Sequence, residues 1–600
     1  MSSEFDRFPE EERERIEQEI KQAYDFDPQD PLFGLSQVEL RGPKMGRRTV
    51  LRLLAAAGAL SMWHLLPGLG GGSEVFAAGS GGELTAGWAG TNAISTLDPA
   101  QINQVLEFQI TSNVLSGLTH INPDLIAEGD LATDWKVSSD GKEYVFKLRQ
   151  GVTFHNGDPF TADDVIFTFN RSKDPKQSIE YRLLDDIESV EKVDDFTVKF
   201  KLHAPQASFL VKTLERASGR AMTIVSRGAL ESMGAKQYGL TPVGTGPFKV
   251  TSHQLGQGVV LEKFDKYYDP TRPKLDKVKI IPVPEPAPLA AAIAAGDIQL
   301  IGGNPPAPEL IDGFVANPDI VVSILPGPGF QALWVNPWRD PFKVTDFNKP
   351  FDELAKEPGF MVRLAIAKAM DRNDLIKRAL FGRGLPAFGT INPAMRFYFD
   401  QTINATSSQR FDAAEAQQLL AKAGFPNGKG FPTLKLNVNS AGKREGEVIV
   451  NILKKSLNIN VELVIQQWPV LIDNFDKMNF DLLRIGSGGD YDPDDGLVDW
   501  CETTSKFNGP TRDKQKMSFG YFSDQEVDKL TEAERIETDM NRRKTLVQQA
   551  NFITSNKVMC VFLFHLMDIL VYRKEVNYPA VSRIPGLVDL DRTTINKKTS

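Results

Sequence analysis

The chain has 600 residues, of which 41% are hydrophobic and 24% charged, the composition of a globular protein long enough for several domains. The net charge of −9 is modest for this length and argues against a nucleic-acid-binding surface. Two cysteines without a CxxC pair and six histidines without HExxH argue against an iron–sulfur cluster or a zinc centre, so we expect no cofactor and no metal.

Residues 1–79 have the layout of an export segment. Residues 1–44 form a charged N-terminal extension with too few apolar residues to build a core. In residues 45–79, Arg47 and Arg48 stand directly before an apolar run, and small residues follow that run. A basic region, an apolar region and a small-residue cleavage site are the three parts of a signal peptide. We therefore expect export from the cytoplasm.

The arginine pair makes this segment resemble a twin-arginine (Tat) signal, which implies cleavage after Ala77. The segment departs from that pattern at Gly46, where Ser or Thr is usual, and in its long N-terminal region. The alternative is an uncleaved membrane anchor, although the apolar run contains His64 and is short for a span of ~20 residues.

The rest of the chain alternates between short apolar strands and amphipathic helices, which is typical of α/β proteins. ELTAGWAG (83–90) predicts a strand, and VLEFQITSNVLSGL (105–118) predicts a helix. KEYVFKL (142–148) alternates apolar and polar residues after the Asp-Gly turn of SSDGK, which predicts a hairpin. Asp163 and Asp164 precede VIFTFNRS, as acidic residues do at the start of a helix.

Several longer segments resemble, in the same order, the sequence blocks of extracellular solute-binding protein family 5, which serves peptide and nickel ABC importers. They are LATDWKVSSDGKEYVFKLRQGVTFHNGDPFTADDVIFTFNR (131–171), TPVGTGPFKV (241–250), FMVRLAIAKAMDRNDLIKRALFGRGLPA (360–387), FDAAEAQQLLAKAGF (411–425) and FSDQEVDKLTEAERIETDMNRRKTLVQQA (522–550).

This resemblance implies the fold. We expect an α/β protein with a periplasmic binding protein type II-like clamshell, in which two α/β lobes are joined by an additional domain. Lobe I would be discontinuous, comprising residues 83–117, 242–329 and 564–600. Domain II would be residues 118–241, and lobe III residues 330–563.

No catalytic residue is expected. IGSGGD around Ser487 lacks the first glycine of GxSxG, and the chain contains no GxxxxGK[ST] motif and no strand-linked GxGxxG. GTG at 244–246 is interpreted as a tight glycine turn, and His155 as a structural hydrogen-bonding residue. The chain is therefore predicted not to be an enzyme.

The stretch GGDYDPDDG (488–496) concentrates four aspartates. An EF-hand loop starting at Asp490 fails, because Asp495 stands where Gly is needed and Cys501 stands where the bidentate Glu is needed. In peptide-binding members of the family, an aspartate of this loop pairs with the α-ammonium group of the peptide. The resemblance therefore implies that Asp490 and its neighbour Tyr491 line the cleft.

Two departures keep a second interpretation of this stretch open. The tryptophan usual before the family's aspartate is replaced by the glycine-rich GSGG, and the spacing to Pro493 is one residue short. The alternative is a solvated turn. In either case Asp494 and Asp495 are expected to cap the following segment as solvated residues at a helix start.

Five further residues are candidates for the cleft, because ligand clefts combine aromatic walls with a few fixed polar groups. Trp88, Trp334 with Asn336, and Trp468 are predicted to face the ligand, and core packing is the alternative for each aromatic ring. Arg363 is expected to pair with a ligand carboxylate or to form an ion pair between the lobes.

The predicted function is that of a periplasmic, extracytoplasmic solute-binding protein that acts as a monomer. It would capture a peptide, a peptide-like molecule or another polar solute and deliver it to an ABC permease driven by an ATPase, with no role for nucleic acid. The alternatives are a Tat-exported enzyme and a ligand sensor on the same fold. Export would also permit a disulfide between Cys501 and Cys560.

Overall fold

The computed structural model describes residues 81–91, 93–102, 105–216, 220–488, 491–503, 522–579 and 586–596. The N-terminal extension, the predicted signal with Arg47 and Arg48, and Asp490 lie outside the described residues. In the part of the chain that is described, no helix combines the length and the apolar character that a membrane crossing requires.

The helices are α1 Val105–Thr111, α2 Ala162–Lys173, α3 Phe209–Lys212, α4 Arg227–Met233, α5 Ala235–Tyr238, α6 Pro286–Ala295, α7 Pro308–Ala316, α8 Phe351–Leu354, α9 Pro358–Ala369, α10 Arg372–Ala379, α11 Ile403–Thr406, α12 Ala413–Lys422, α13 Lys443–Leu457, α14 Trp468–Asp476, α15 Pro493–Cys501, α16 Gln525–Ile536 and α17 Met540–Asn556.

The strands are β1 Glu83–Ala89, β2 Thr119–Ile121, β3 Ala127–Gly129, β4 Ala132–Val137, β5 Glu143–Leu148, β6 Ile187–Asp194, β7 Thr197–Leu202, β8 Phe248–Gln254, β9 Gly258–Lys263, β10 Lys277–Val283, β11 Leu300–Gly303, β12 Ile320–Val335, β13 Leu385–Pro386, β14 Leu434–Asn439, β15 Val461–Gln466, β16 Leu482–Ser487, β17 Val561–Arg573, β18 Val576–Asn577 and β19 Thr594–Ile595.

Local sequence explains where several of these elements begin. Thr161 caps α2 and forms a capping box with Asp164, so the predicted acidic helix start is confirmed. The predicted hairpin is confirmed as the antiparallel pair β4–β5, joined by a turn in which Gly141 has a φ of 69°. The strand predicted at residues 83–90 is confirmed as β1.

The helix predicted at residues 105–118 is shorter than expected, because α1 ends at Thr111. The side chains of Ser112 and Asn113 both donate to the carbonyl of Gln109, at 3.2 and 2.9 Å, and so compete with the backbone hydrogen bonds of a longer helix. The chain must also bring Gly117 against another backbone, since a Cβ there would lie 2.4 Å from the carbonyl oxygen of Leu214.

The largest sheet is held together by two long strands. Its order is β15-β14-β16-β12-β17-β11-β1-β10-β9-β8, with β13 also paired to β17. Strands β12 and β17 are antiparallel, and their register runs from Ile320 opposite Arg573 to Leu333 opposite Val561. One end of this pair meets β16, and the other meets β11. The two halves of the sheet are therefore joined through β12 and β17, which we call the crossing strands.

The crossing strands are irregular at their middle. The register shifts between Pro326 and Phe330, where β12 contains Gly327, Pro328 and Gly329. A Cβ on Gly329 would lie 2.4 Å from the carbonyl oxygen of Ser487. Glycine is required at this position because the end of β16 packs directly on the backbone of the bulge.

The apolar residues form separate clusters. The largest is built around β12, β14, β16 and the helices of residues 351–556, while a second packs β1, β8, β9 and β10. A third fills the antiparallel sheet β4-β5-β7-β6, where Phe146 and Phe200 meet edge to face with ring centroids 5.6 Å apart. The residue boundaries of the lobes and of domain II remain a prediction.

The substitution Gly329→Ala is expected to destabilise the protein by about 1–3 kcal/mol, because the added methyl group collides with backbone rather than with a movable side chain. The matched control is Gly313→Ala in α7, where a Cβ meets no atom within 4 Å. This control should be neutral or stabilise by up to ~1 kcal/mol. Urea unfolding of both variants measures the difference, and equal midpoints would contradict a close-packed bulge.

Candidate functional site

The stretch GGDYDPDDG connects β16 to α15, and its aspartates build the start of that helix. Asp492 is the N-cap, and its side chain accepts a hydrogen bond from the backbone N–H of Asp494 at 3.0 Å. The carboxylate of Asp495 accepts from the backbone N–H groups of Tyr491 and Asp492, at 3.0 and 3.1 Å. With Pro493 at the first helical position, this is a complete capping box.

The same aspartates belong to a buried charged network. Arg543 of α17 donates to both carboxylate oxygens of Asp492, at 3.0 and 2.5 Å, and to Glu534 of α16 at 2.8 Å. Asp492, Glu534 and Arg543 are each at most 5% exposed. Such a bidentate arginine pair is both directional and strong. The loop after β16 is therefore anchored to the two helices α16 and α17.

A second set of contacts ties the loop to predicted domain II. The hydroxyl of Ser208 donates to Asp494, and Lys212 lies 3.1 Å from Asp495 and 3.9 Å from Asp499. Ser208 caps and Lys212 ends the short helix α3. The acidic start of α15 is thus held by residues of α3 that lie far away in sequence, with 286 positions between Ser208 and Asp494.

The charges in this network are set by burial and by neighbours. Burial raises the pKa of Asp494, but Lys212 and a hydrogen bond from Glu534 outweigh it and hold that pKa at about 2. Burial and the nearby Asp494 raise the pKa of Glu534 well above its usual value, which favours its protonated form. When both groups are ionised, Asp494 Oδ1 and Glu534 Oε1 lack a hydrogen-bond partner. A proton on Glu534 gives both oxygens one, because the Glu534 hydroxyl can then donate to Asp494.

These contacts correct one expectation about the stretch. Asp494 is 1% exposed, so the prediction that it caps α15 as a solvated residue is wrong, and Asp495 is only partly exposed beside Lys212. The prediction that they stand at a helix start is confirmed. The negative charge of Asp492, Asp494 and Asp495 serves internal contacts.

Tyr491 lies where the two halves of the molecule meet. Its hydroxyl oxygen lies 2.6 Å from the position that a Cβ on Gly586 would occupy, so the phenol covers that glycine. The backbone N–H of Gly586 donates to Asp568 of β17 at 2.9 Å. The side-chain amide of Gln109 donates to the carbonyl of Gly586 at 3.1 Å and accepts from the N–H of Gly303 at 2.9 Å. We call the meeting of Tyr491, Asp568, Gly586, Gln109 and Gly303 the lobe junction.

The crossing strands beside the junction carry two polar atoms that could receive a ligand group. Gln331 Oε1 and His565 Nδ1 are buried and have no hydrogen-bond partner in the described part of the chain. Burial lowers the pKa of His565 to about 3, so its ring is neutral. Phe399 meets that ring edge to face at 6.0 Å. Neutral polar atoms at the middle of the crossing strands suit hydrogen bonding to a polar solute.

Trp88 and Trp334 are core residues, which corrects their assignment to the cleft. Trp88 is 0% exposed, and its indole N–H donates to the carbonyl of Leu106 at 3.0 Å. Trp334 is also 0% exposed, donates to the carbonyl of Ile485 at 3.1 Å, and stacks on Trp500 at 5.6 Å. Each ring is enclosed by its neighbours and each indole N–H already has a backbone partner, so the alternative of core packing holds for both.

The remaining polar candidates have structural partners as well. Asn336 is buried and donates to the carbonyls of Met478 and Phe480, at 2.8 and 2.9 Å. These bonds fix the backbone after α14. The prediction that Asn336 contacts the ligand is therefore wrong, because its amide binds backbone in the core. Trp468 is the first residue of α14 and is 51% exposed, so it belongs neither to the core nor to the junction.

Arg363 is 0% exposed and binds backbone rather than a carboxylate. Its guanidinium donates to the carbonyls of Val335, Val558 and Met559 at 2.6 to 2.8 Å. Burial lowers its pKa to about 10. No carboxylate of the described residues lies within ion-pair distance of this guanidinium. The predictions that Arg363 pairs with a ligand carboxylate or forms an ion pair between the lobes are therefore wrong. Arg363 instead joins the ends of β12 and α17.

Cys501 and Cys560 are both buried free thiols, so the bridge that export would permit is not formed. The thiol of Cys501 lies 3.4 Å from the carbonyl of Gly496, as expected for a residue near the end of α15. Burial raises the pKa of both thiols, which favours the unreactive protonated form.

Sequence reasoning missed the residues that hold the loop and build the junction. They are Gln109, Ser208, Lys212, Glu534, Arg543, Asp568 and Gly586. Arg543 stands in the run MNRRK beside Arg542, which is 68% exposed, and nothing in the run indicates which arginine faces inward. Their partners lie 9 to 477 positions away, beyond any local pattern.

Comparison with known sequences agrees with this architecture. Residues 127–509 match the family model of bacterial extracellular solute-binding proteins, family 5 Middle. The chain belongs to bacterial extracellular solute-binding protein family 5. The resemblance of its sequence blocks to that family is thereby confirmed.

Curated proteins align over much of the chain. The glutathione-binding protein GsiB of Escherichia coli strain K12 is 30% identical over 335 residues, which are 56% of this chain and 60% of GsiB. The oligopeptide-binding protein OppA of Bacillus subtilis is 26% identical over 502 residues, covering 78% of this chain and 85% of OppA. The chain therefore spans less than two thirds of the length of GsiB, but most of OppA.

Solved structures of similar proteins confirm the predicted clamshell fold. The periplasmic binding protein DppA of Helicobacter pylori, in complex with peptide STSA, is 24% identical with a TM-score of 0.65. The alignment covers 86% of this chain and 98% of DppA. The oligopeptide-binding protein AppA of Bacillus subtilis, in complex with a nonapeptide, is 21% identical with a TM-score of 0.64 and covers 87% of this chain and 100% of AppA.

The substitution Arg543→Met should destabilise this family 5 protein by about 3–5 kcal/mol, because it leaves the charge of Asp492 buried without a partner. The matched control is Arg542→Met, which removes the neighbouring exposed arginine and should leave the unfolding midpoint unchanged. Chemical unfolding at neutral pH measures both. Equal, small effects would contradict the assignment of Arg543 as the anchor of the loop.

Proposed function

We propose that this protein is an extracytoplasmic binding protein that captures a peptide or peptide-like solute and delivers it to an ABC importer. The observation that carries the proposal is the lobe junction, where Tyr491 of the loop after β16 lies against Gly586, whose carbonyl accepts a hydrogen bond from Gln109. Membership of family 5 supports it, as does similarity to the glutathione-binding protein GsiB, the oligopeptide-binding protein OppA and the periplasmic binding protein DppA.

Capture would work through closure of the two lobes. Only β12 and β17 join the two halves of the largest sheet in the described residues, and their bulge at residues 327–329 is where the pair departs from regular pairing. A solute that touches both lobes favours the closed arrangement by its difference in affinity for the two states. A micromolar dissociation constant corresponds to about −8 kcal/mol, which a few charged anchors in a closed cleft can supply.

Asp490 is the residue that we assign to the amino group of the solute. The other three aspartates of GGDYDPDDG are committed to Arg543, Ser208, Lys212 and the helix start. Asp490 is the remaining carboxylate of the stretch and directly precedes Tyr491, which lies at the junction. A carboxylate that receives an ammonium group makes a charge-assisted hydrogen bond, which selects for ligands with a free amine.

The remaining parts of the proposal follow from this role. The protein would act as a monomer, without catalysis, outside the cytoplasm, after export directed by Arg47 and Arg48. It would dock to a membrane permease pair powered by an ATPase, and no nucleic acid would take part. Gln331 and His565 would add neutral hydrogen-bonding groups beside the charged anchor.

Native mass spectrometry of protein purified from its own host tests the proposal. We expect a co-purifying compound with a free amino group. Calorimetry with that compound should show that Asp490→Asn weakens binding by roughly tenfold to a hundredfold, as expected when a charged hydrogen bond of ~1.5–3 kcal/mol is lost. The control is Asp473→Asn, whose carboxylate is exposed beside Lys477 in α14.

Two outcomes distinguish a failure of the peptide assignment from a failure of solute capture. A bound compound without an amine, unaffected by Asp490→Asn, would contradict the peptide assignment but leave solute capture intact. A protein that binds no solute from its host, nor any peptide from a mixed library, would contradict solute capture itself.

A further inference from the structure

A second cavity lies away from the lobe junction, between predicted domain II and predicted lobe I. It has a volume of about 210 Å³, and its walls are His120, Gly129, Asp130, Arg149, Arg216, residues 267–270 and Arg272. None of the residues that line it belongs to the junction. Its walls carry Arg149, Arg216 and Arg272, an unusual concentration of guanidinium groups for so small a space.

Arg216 has no partner for its charge among the described residues. It is 9% exposed, yet no described residue accepts a hydrogen bond from its guanidinium or places a carboxylate within 4.0 Å of it. Burial lowers its pKa, but Asp130 and Asp591 at longer range outweigh burial, so the group stays charged. A buried charge without a contact partner is costly, and such groups ordinarily meet a counter-ion.

Arg149 presents a second guanidinium without a carboxylate partner in the described structure. Its Nε donates to the backbone carbonyl of Asp130 at 3.2 Å, and its guanidinium lies 4.8 Å from the ring centroid of Tyr268. Stacking on an aromatic ring leaves the fork of N–H groups free to bind along its edge.

The carboxylates nearby are already engaged. Asp130 accepts from the hydroxyl of Tyr268 and from the N–H of Gly117, the latter at 3.2 Å. Asp269 and Asp591 lie 2.7 and 3.0 Å from Arg272. Arg272 has direct carboxylate contacts, whereas Arg149 and Arg216 have none within 4.0 Å among the described residues, so theirs are the guanidinium groups left to contact an anion directly.

We propose that this cavity binds a small oxyanion, a carboxylate or phosphate group held by Arg149 and Arg216. A guanidinium fork matches the two oxygens of either group. The volume lies below the ~300–1,000 Å³ of pockets for drug-sized ligands, so the occupant is a compact ion. Because the walls come from both sides, the anion would hold predicted domain II against lobe I. This site is independent of the proposed solute cleft.

The test is thermal unfolding of the full protein with increasing inorganic phosphate or malonate, against sodium chloride at matched ionic strength. The wild-type protein should show a saturable rise in Tm with at least one of the two anions beyond the chloride control, because binding to the folded state stabilises it. A response to phosphate alone or to malonate alone identifies which oxyanion the site prefers.

The variant Arg216→Gln should lose the anion-dependent rise, or require at least about tenfold more anion to reach half of it. Its Tm without anion should change little or fall slightly, because no direct ion pair is removed but the longer-range attraction of Asp130 and Asp591 is lost. Arg149→Gln provides a second variant at the same cavity. The control is Arg227→Gln, whose exposed side chain pairs with Glu231 on α4 and should leave the anion response intact.

Three results would overturn the proposal. They are the absence of any Tm rise beyond chloride, an unchanged anion response in both Arg216→Gln and Arg149→Gln, and an equal loss of response in Arg227→Gln. A fall in the anion-free Tm of Arg216→Gln with the anion response retained would make Arg216 a structural residue.

Discussion

The pairing of β12 with β17 is the constraint on which the rest of the structure depends. All hydrogen bonding between the two halves of the largest sheet passes through these strands in the described residues. They are buried over most of their length, as strands covered on both faces are, and they end in different apolar clusters. Any relative movement of the halves must therefore be absorbed along this pair, and the bulge at Gly327–Gly329 is its least regular part.

The buried network around Arg543 performs the complementary task of fixing the loop before α15. Asp492, Asp494, Glu534 and the guanidinium of Arg543 are buried, and the partly exposed Asp495 and Lys212 lie at the edge of the network. Burial of these charged groups is tolerated because each has a partner. The chemistry of a ligand site requires such support, because a loop that carries a recognition group must be held in place by residues that do not themselves bind ligand. Asp492 and Asp495 supply that support for the residues immediately before them.

Local patterns predicted the elements but not the packing. The alternation in KEYVFKL and the Thr161–Asp164 start of α2 were readable because both depend on residues close in sequence. The family blocks extended this to the whole clamshell. Trp334 and Arg363 could not be placed in this way, because a ring on a strand or a guanidinium on a helix fits either a cleft or a core. Which of the two holds depends on Trp500 and Val558, more than 150 positions away.

Small-angle X-ray scattering of the purified protein, with and without its co-purifying solute, tests the central claim that solute binding closes the two halves about the crossing strands. We predict a smaller radius of gyration when the solute is bound. The Gly329→Ala variant should show a different change on binding, since its added methyl group meets the backbone of Ser487 at the bulge. An identical radius of gyration in the free and bound states, with binding shown by calorimetry on the same sample, would contradict the account.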